Sequence, residues 1–255
     1  MTPVAEAERA LHRRAELAFA AARDAGLPGR FETWERVGVL AAVVSAPGLS
    51  FLSTLSGVTP QTVAAATDIV RASAWQGAAP TVLVSEELDE TGERLSSAGF
   101  VRAADRMLAI RQLIGNPPPA GDPVAVTDDA RFLDVLLAGY EVDGEVGAFI
   151  AAEHRHPDVR RFAVLHDAAP IAVAGMTKHG VVAVLGGAAT LREHRGRGAQ
   201  SVLLLHRLRL AAEDGCVLAV ASARPGSVSA TNLAKAGFEL HRRAAWSMPP
   251  DPYLT

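Results

Sequence analysis

Cysteine is nearly absent from this chain of 255 residues: Cys216 stands alone. No disulfide can form within it, and a reducing compartment, the cytoplasm, is the expected location. Aromatic residues are scarce at 5%, so Ala, Val and Leu must fill the core. No apolar run approaches the roughly 20 residues that cross a bilayer; the stretch 37–46 is far too short. Near the start, Glu6, Glu8, Arg9, Arg13, Arg14 and Glu16 leave no room for the uncharged apolar core of a signal peptide. One-sided charge is missing too. A formal net charge of -3 provides no global field for nucleic acid or an anionic membrane, and neither is an expected partner. With 49% hydrophobic and 21% charged residues, the composition is that of an ordinary globular protein. The length suits one large domain or two of roughly 100–150 residues.

Apolar periodicity predicts a helix over 5–25, with Ala7, Ala10, Leu11, Leu17, Ala18, Ala21 and Ala22 on one stripe and charges on the other face. Strands are predicted over 31–37, 39–45 and 50–55. A helix follows, with Thr59 as N-cap and Pro60 at its first position, to about residue 75. A short strand at 81–84, a helix at 89–97 and a mostly extended stretch at 100–113 complete the first half. In the segment 115–123 the consecutive prolines have no amide donors and hold an extended form, and it reads as a linker. Beyond it come helices at 131–138 and 145–152, a hairpin of 161–166 and 170–177, and a long apolar strand at 181–191. Residues 195–214 hold a loop and a helix, with Ser201, Leu204, Leu205, Leu208, Ala211 and Ala212 as its inner face. A strand at 217–221, a helix at 227–236 and a strand at 238–248 end the chain. The pattern L-x-x-A-G-F occurs at 95–100 and again at 233–238, each time after a strand–helix–strand–helix run, which points to two related halves.

Chemistry concentrates in Arg195-Gly196-Arg197-Gly198-Ala199-Gln200, between a long strand and a long helix. A diphosphate needs converging backbone N–H groups with no side chains in the way, and Gly196 and Gly198 permit that approach. The positive end of the helix adds attraction, and Arg195 and Arg197 can add charge-assisted bonds. No Gly-Lys-Ser/Thr follows and the G-x-G-x-x-G spacing is absent, so the loop is neither of those nucleotide motifs. The bland alternative is a solvated basic turn that only starts a helix.

The segment resembles the GNAT superfamily of acyl-CoA-dependent N-acyltransferases, whose signature is Arg/Gln-x-x-Gly-x-Gly/Ala. Arg195 and Gly198 match it, and Gln200 stands where Gly or Ala is usual. The closest likeness is to tandem members in which the N-terminal half has lost the loop, as here, where Ser56-Gly57-Val58-Thr59-Pro60-Gln61 has no arginine and one glycine. The resemblance implies an α+β fold of two GNAT-like halves, each a mixed, mostly antiparallel twisted sheet flanked by helices, with a splayed pair of parallel strands in the second. It implies a degenerate domain over 1–114, a linker over 115–123 and an acyl-CoA-binding domain over 124–255. Backbone groups of Ala188, Ala189 and Thr190 would pair with the pantetheine, and Asn232 would lie near the cofactor.

Two groups common in the family are missing: the strand around 181–190 has no carboxylate, and Leu233 stands where a tyrosine is usual. The remaining catalytic candidates are Glu153, His154 and Ser229. His154 is a base with a near-neutral reference pKa, set against a solvated-loop alternative for the Glu153–His156 stretch. His154-x-His156 lacks a third ligand at useful spacing, so no metal is expected. The leading expectation is transfer of an acetyl group from acetyl-CoA, or a related acyl-CoA, to an amine of a small molecule or protein, by a monomer or homodimer. The alternatives are an acyl-CoA-binding or sensing protein with a decayed acceptor site, and other acyl-CoA chemistry on the same scaffold.

Overall fold

A computed structural model describes residues 2–74, 77–113, 115, 125–126 and 128–249. Helix α1 (Pro3–Asp24) is started by the Thr2 hydroxyl, which accepts from the Ala5 N–H, and by a proline in its first turn. Strands β1 (Arg30–Arg36) and β2 (Val39–Ser45) form a hairpin. Then come β3 (Thr54–Ser56), α2 (Val63–Ala74), β4 (Thr81–Val84), α3 (Leu88–Ser97), β5 (Val101–Arg102) and β6 (Arg106–Gln112). The second half runs β7 (Ala125–Val126), α4 (Asp129–Tyr140), α5 (Gly144–Arg155), β8 (Arg160–His166), β9 (Ala169–His179), β10 (Val182–Thr190), α6 (Ala199–Glu213), β11 (Leu218–Ala223), α7 (Val228–Lys235) and β12 (Glu239–Ser247). Of the expected linker 115–123, all but Gly115 lies outside the described residues.

The α+β expectation holds. Among the described residues the strands form a 12-stranded sheet in the order β1-β2-β3-β4-β12-β6-β11-β10-β9-β8-β7, with β5 beside β12. Pairing is antiparallel except at β3–β4 and β10–β11. These parallel pairs occupy matching places in the two halves, each followed by a helix that ends in the L-x-x-A-G-F exit. The final long strand of each half crosses over. Strand β6 pairs with β11, β12 pairs with β4, and the two pair with each other in the middle.

Several local expectations are corrected. Residues 50–55 are not one strand: Ser50–Leu52 is a 3-10 turn and only Thr54–Ser56 pairs. Thr59 is not the N-cap of α2. Its N–H donates to Thr62 Oγ1, and the helix begins at Val63. The buried face of α6 carries Ala199, Leu203, Leu204, Arg207, Leu208 and Ala211; Ser201 is exposed, and Leu205 and Ala212 are half-buried. The charged side of α1 is not simply solvated, because Glu8, His12 and Arg14 are buried. This helix packs on β1, β10, β11 and α5, so both its sides meet protein. Arg243 Nη2 donates to Glu8 Oε2 at 2.6 Å, while Arg14 is bound to Glu153. No described helix is long and apolar enough to cross a membrane.

The core lies in separate apolar groups on either side of the sheet. One joins Leu203, Leu204, Leu208 and Ala211 of α6 to Phe162, Ala174, Met176 and Leu185 beneath. Another joins Phe132 and Leu136 of α4 to Ala163, Val173 and Ala189 on the opposite face. The β9–β10 ribbon is thus clamped between α6 and the α4–α5 pair, and the loop before α6 is presented at its end.

Candidate functional site

Strands β10 and β11 pair only where Val182, Ala183 and Val184 meet Leu218, Ala219 and Val220. Beyond Val184, β10 continues to Thr190 along β9, whereas β11 continues to Ala223 along β6. The two parallel strands therefore part, and the edge of β10 that faced β11 is open from Leu185 onward. Unpaired backbone at a strand edge is a template for an extended ligand.

At the end of that edge the chain makes a 3-10 turn over Arg192–His194, then enters α6 through Gly196 (φ 78°) and Gly198 (φ 83°). Left-handed φ values of this kind favour glycine. A Cβ at either glycine would meet nothing within 4 Å, so the space before the loop is open. The N–H groups of residues 196 through 200 have no acceptor among the described residues; bonding to Gly198 O starts with Ser201 and Val202. Free amides at the N-terminus of a 15-residue helix are the kind of group that attracts an anion.

The predicted loop side chains divide. Arg197 is exposed and has no ion-pair or hydrogen-bond partner among the described residues. Arg195 turns back: its Nε donates to Thr190 O at 3.2 Å and its Nη2 to Gly139 O at 2.9 Å, bracing the loop against the end of α4. Arg192 pairs with Glu141 at 2.8 Å in the same place. The Gln200 side chain does not obstruct the loop. Its Nε2 donates to Ala189 O at 2.7 Å, Thr190 Oγ1 at 3.0 Å and Val173 O at 3.3 Å. Ala199 is buried. Of the strand residues expected to pair with a pantetheine, Ala188 already donates its N–H to the Tyr140 hydroxyl at 3.0 Å, and the Ala189 and Thr190 carbonyls already accept from Gln200 and Arg195. Asn232 is half-buried on α7 and Ser229 exposed in its first turn.

Glu153 and His154 are not in a solvated loop; they occupy the last turn of α5 and are enclosed. His154 Nδ1 lies 2.8 Å from Ile150 O. A carbonyl accepts, so that nitrogen carries the proton and Nε2 carries the lone pair. The Nε2 atom is buried without a hydrogen-bond partner among the described residues. It occupies the space where a side chain at position 187 would stand: a Cβ on Gly187 would lie 2.0 Å from it. Glycine at this kink (φ 56°) is thus required twice, by backbone and by neighbour. Burial of the Glu153 carboxyl pushes it up, but the charges of Arg14 and His154 and the Arg14 hydrogen bond together outweigh this and hold it below the usual carboxylate range. Arg14 Nη1 also donates to Thr177 Oγ1 at 3.2 Å, and a Cβ on Gly186 would lie 3.3 Å from Arg14 Cζ.

Burial holds His154 below the ordinary histidine value of 6.5, and does the same to His12 and His179. The unfolded chain therefore takes up protons first as the pH drops. Stability present above about pH 6.5 falls below it. The melting temperature is expected to decline between pH 7.5 and 5.5, and to decline less steeply in His154→Gln. An identical slope in that variant would show that His154 does not contribute.

Sequence reasoning does not single out Tyr140, Arg14 or Arg207. Tyr140 closes α4 and has only its position at the helix end to mark it. Arg207 falls in the 199–203–207–211 register that is otherwise apolar, a visible signal that an inward-facing arginine needs acceptors.

Residues 130–238 match the family described as Acetyltransferase (GNAT) family. This segment is a GNAT domain. No curated protein matches the chain. Among solved structures, a GCN5-related N-acetyltransferase from Kribbella flavida aligns at TM-score 0.61 and 19% identity, covering 92% of this chain and 95% of that one. A tandem GNAT protein from the clavulanic acid biosynthesis pathway aligns at TM-score 0.63 and 16% identity, covering 92% and 88%. A GCN5-related N-acetyltransferase from Sphaerobacter thermophilus aligns at 0.63 and 13%, covering 84% and 78%. At these identities the likeness is one of fold, and it extends beyond the GNAT domain into the N-terminal half. Acyl transfer from acyl-CoA is the chemistry of the GNAT family. Among the described residues there is no cluster of His, Cys, Asp or Glu able to hold a metal ion.

Proposed function

We propose that this protein transfers an acyl group, acetyl first among candidates, from acyl-CoA to a primary amine of a small molecule or protein. The observation that carries this reading is the continuity of the open β10 edge with the unbonded amides 196–200 at the start of α6. A pantetheine chain has amides to pair with such an edge, and its diphosphate suits such a helix start. Ala188, Ala189, Thr190, Gly196, Gly198, Ala199 and Gln200 would hold the cofactor through backbone, Arg197 through its free charge and Asn232 from α7. Arg195 would act by bracing the loop.

An acyl-CoA supplies the acyl group; the protein must orient it and manage protons. Tyr140 is the hydroxyl at the splay. It accepts from Ala188 N–H, which leaves its own proton available; although the residue as a whole is 40% exposed, enclosure of its hydroxyl end pushes its pKa up, so it stays protonated at neutral pH. We assign it the donor role that Leu233 cannot fill. Glu153, tied to Arg14, and His154, with Nε2 sealed behind Gly187, are not free to touch an acceptor in this arrangement.

The division into units 1–114 and 124–255 belongs to the same proposal, supported by the matched parallel pairs and helix exits. So do a cytoplasmic location and a monomer or homodimer. A second reading, an acyl-CoA-binding or sensing protein without transfer, is favoured by three observations: Ser229 is exposed, Leu233 is buried, and β10 offers no carboxylate. Calorimetry with acetyl-CoA, followed by thiol release over a panel of amines, tests both. Saturable binding with thiol release is expected. Binding without release from any amine would select the second reading, and no binding would remove both.

A further inference from the structure

The inference concerns the kink in β10 and rests on the acyl-CoA reading above. Gly186 is opposite Gly175 and Ala189 is opposite Val173, so Gly187 and Ala188 together face Ala174 alone. This is a β-bulge, and it lies where β10 has just lost β11. Both rungs that bracket it are gripped from α6. Gln200 Nε2 donates to Ala189 O and Val173 O, the carbonyls of the outer rung. Arg207 Nη1 donates to Gly175 O at 2.9 Å and Gly186 O at 3.5 Å, the carbonyls of the inner rung. Gln200 and Arg207 stand two turns apart on one face of the helix.

Arg207 is a costly choice for packing alone. It is 3% exposed and no carboxylate pairs with it among the described residues; its Nε goes to Leu203 O at 3.2 Å. Burial lowers its pKa to about 10. A buried cation without a counterion is destabilising unless its donors are satisfied, and an apolar residue of similar size is normally better. What the guanidinium provides, and an apolar residue would not, is a rigid set of donors reaching carbonyls on two strands at once. Gln200 follows the same logic, and this accounts for an amide where the resemblance has Gly or Ala.

We propose that Gln200 and Arg207 are positioning residues that fix the β10 bulge from the α6 side, and that α6 thereby acts as a ruler between the diphosphate loop at its N-terminus and the point on β10 where the acyl thioester is received. From Ala199 to Arg207 the helix rises about 12 Å at its standard pitch. The loop amides and the bulge are thus tied to one rigid element rather than to separate loops. Tyr140 grips the same bulge from the other face through Ala188 N–H.

The test compares affinities for CoA and acetyl-CoA, measured by calorimetry on the full chain, in wild type, Gln200→Ala, Arg207→Met and Arg207→Lys. CoA reads the loop; the gain from the acetyl group reads the bulge. Wild type is expected to prefer acetyl-CoA. Gln200→Ala and Arg207→Met are expected to keep CoA affinity within about threefold and to lose about tenfold of the acetyl preference, the worth of one well-placed hydrogen bond. Arg207→Lys should restore part of it. With an active amine, kcat should fall while KM for acetyl-CoA changes little. If Arg207→Met does not fold, Gln200→Ala, which empties a half-buried position, decides the matter. Folded variants with an undiminished acetyl preference would overturn the ruler and leave the acyl-CoA reading standing. A wild type that binds neither ligand would overturn both.

Discussion

Replacing Gly198 with glutamate is expected to weaken acetyl-CoA binding by at least about 100-fold while the fold survives. Two effects combine. The left-handed φ of 83° is strained for any residue with a Cβ by about 1–2 kcal/mol. A carboxylate would also stand beside a bound diphosphate, and like charges about 4 Å apart repel by roughly 4 kcal/mol near a protein surface. Because nothing lies within 4 Å of the added Cβ, the side chain has room and no core contact is lost. Gly198→Ala separates the effects, since it carries the backbone strain without the charge; its affinity should fall far less. Calorimetry with acetyl-CoA checks both variants, and equal affinity in wild type and Gly198→Glu would place the nucleotide elsewhere.

Arg14→Met is expected to be among the most destabilising single changes, at about 3–5 kcal/mol, because it strands a buried carboxylate. Arg14 and Glu153 side chains are 10% and 13% exposed and meet at 2.8 Å. Removing both, as Arg14→Met with Glu153→Leu, should recover most of the loss, since the pair is then replaced by apolar volume. The pH dependence has a definite sign. Without Arg14, burial is opposed only by the His154 charge, and His154 is itself held below its ordinary pKa, so the Glu153 carboxyl rises above its unfolded value. The deficit should therefore shrink as the pH falls toward the carboxylate range and be full at neutral pH. Chemical denaturation of the single and double variants at neutral and acid pH measures this. A single variant with wild-type stability would show that the pair contributes nothing.

Much of the framework is legible in the residues, and what is not has a common cause. The loop between β10 and α6 is visible because its chemistry is local: two glycines, two arginines and a helix start lie within a few positions. Strand ends, the Asp167-Ala168 turn and the Gly180 turn are legible for the same reason. The phase of α6 is not, because Val202, Leu203, Leu204 and Leu205 are all apolar and several faces fit equally well. What fixes it is the set of carbonyls on β9 and β10 that accept from Gln200 and Arg207, and those are distant in sequence. Likewise α1 shows an apolar stripe opposite charges, yet Glu8 and Arg14 are enclosed because Arg243 and Glu153 meet them there. His154 looks like a loop residue until Gly187 is seen to make room for its ring. Tyr140 acquires a role only when the end of α4 is laid against Ala188. Pairings across long sequence separations decide these positions, and periodicity carries no record of them.

The crossing of β6 and β12 bears on why the N-terminal segment persists although its own turn lacks the glycines and arginines of a nucleotide loop. Strand β11 has β10 on one flank for only a short stretch and relies on β6 for the other. Deleting the first segment would therefore bare an apolar strand beside the opening and leave β12 with no neighbour on either side. Strands exchanged in this manner tie the second half to the first through backbone alone, independently of anything the turn at 56–61 can bind.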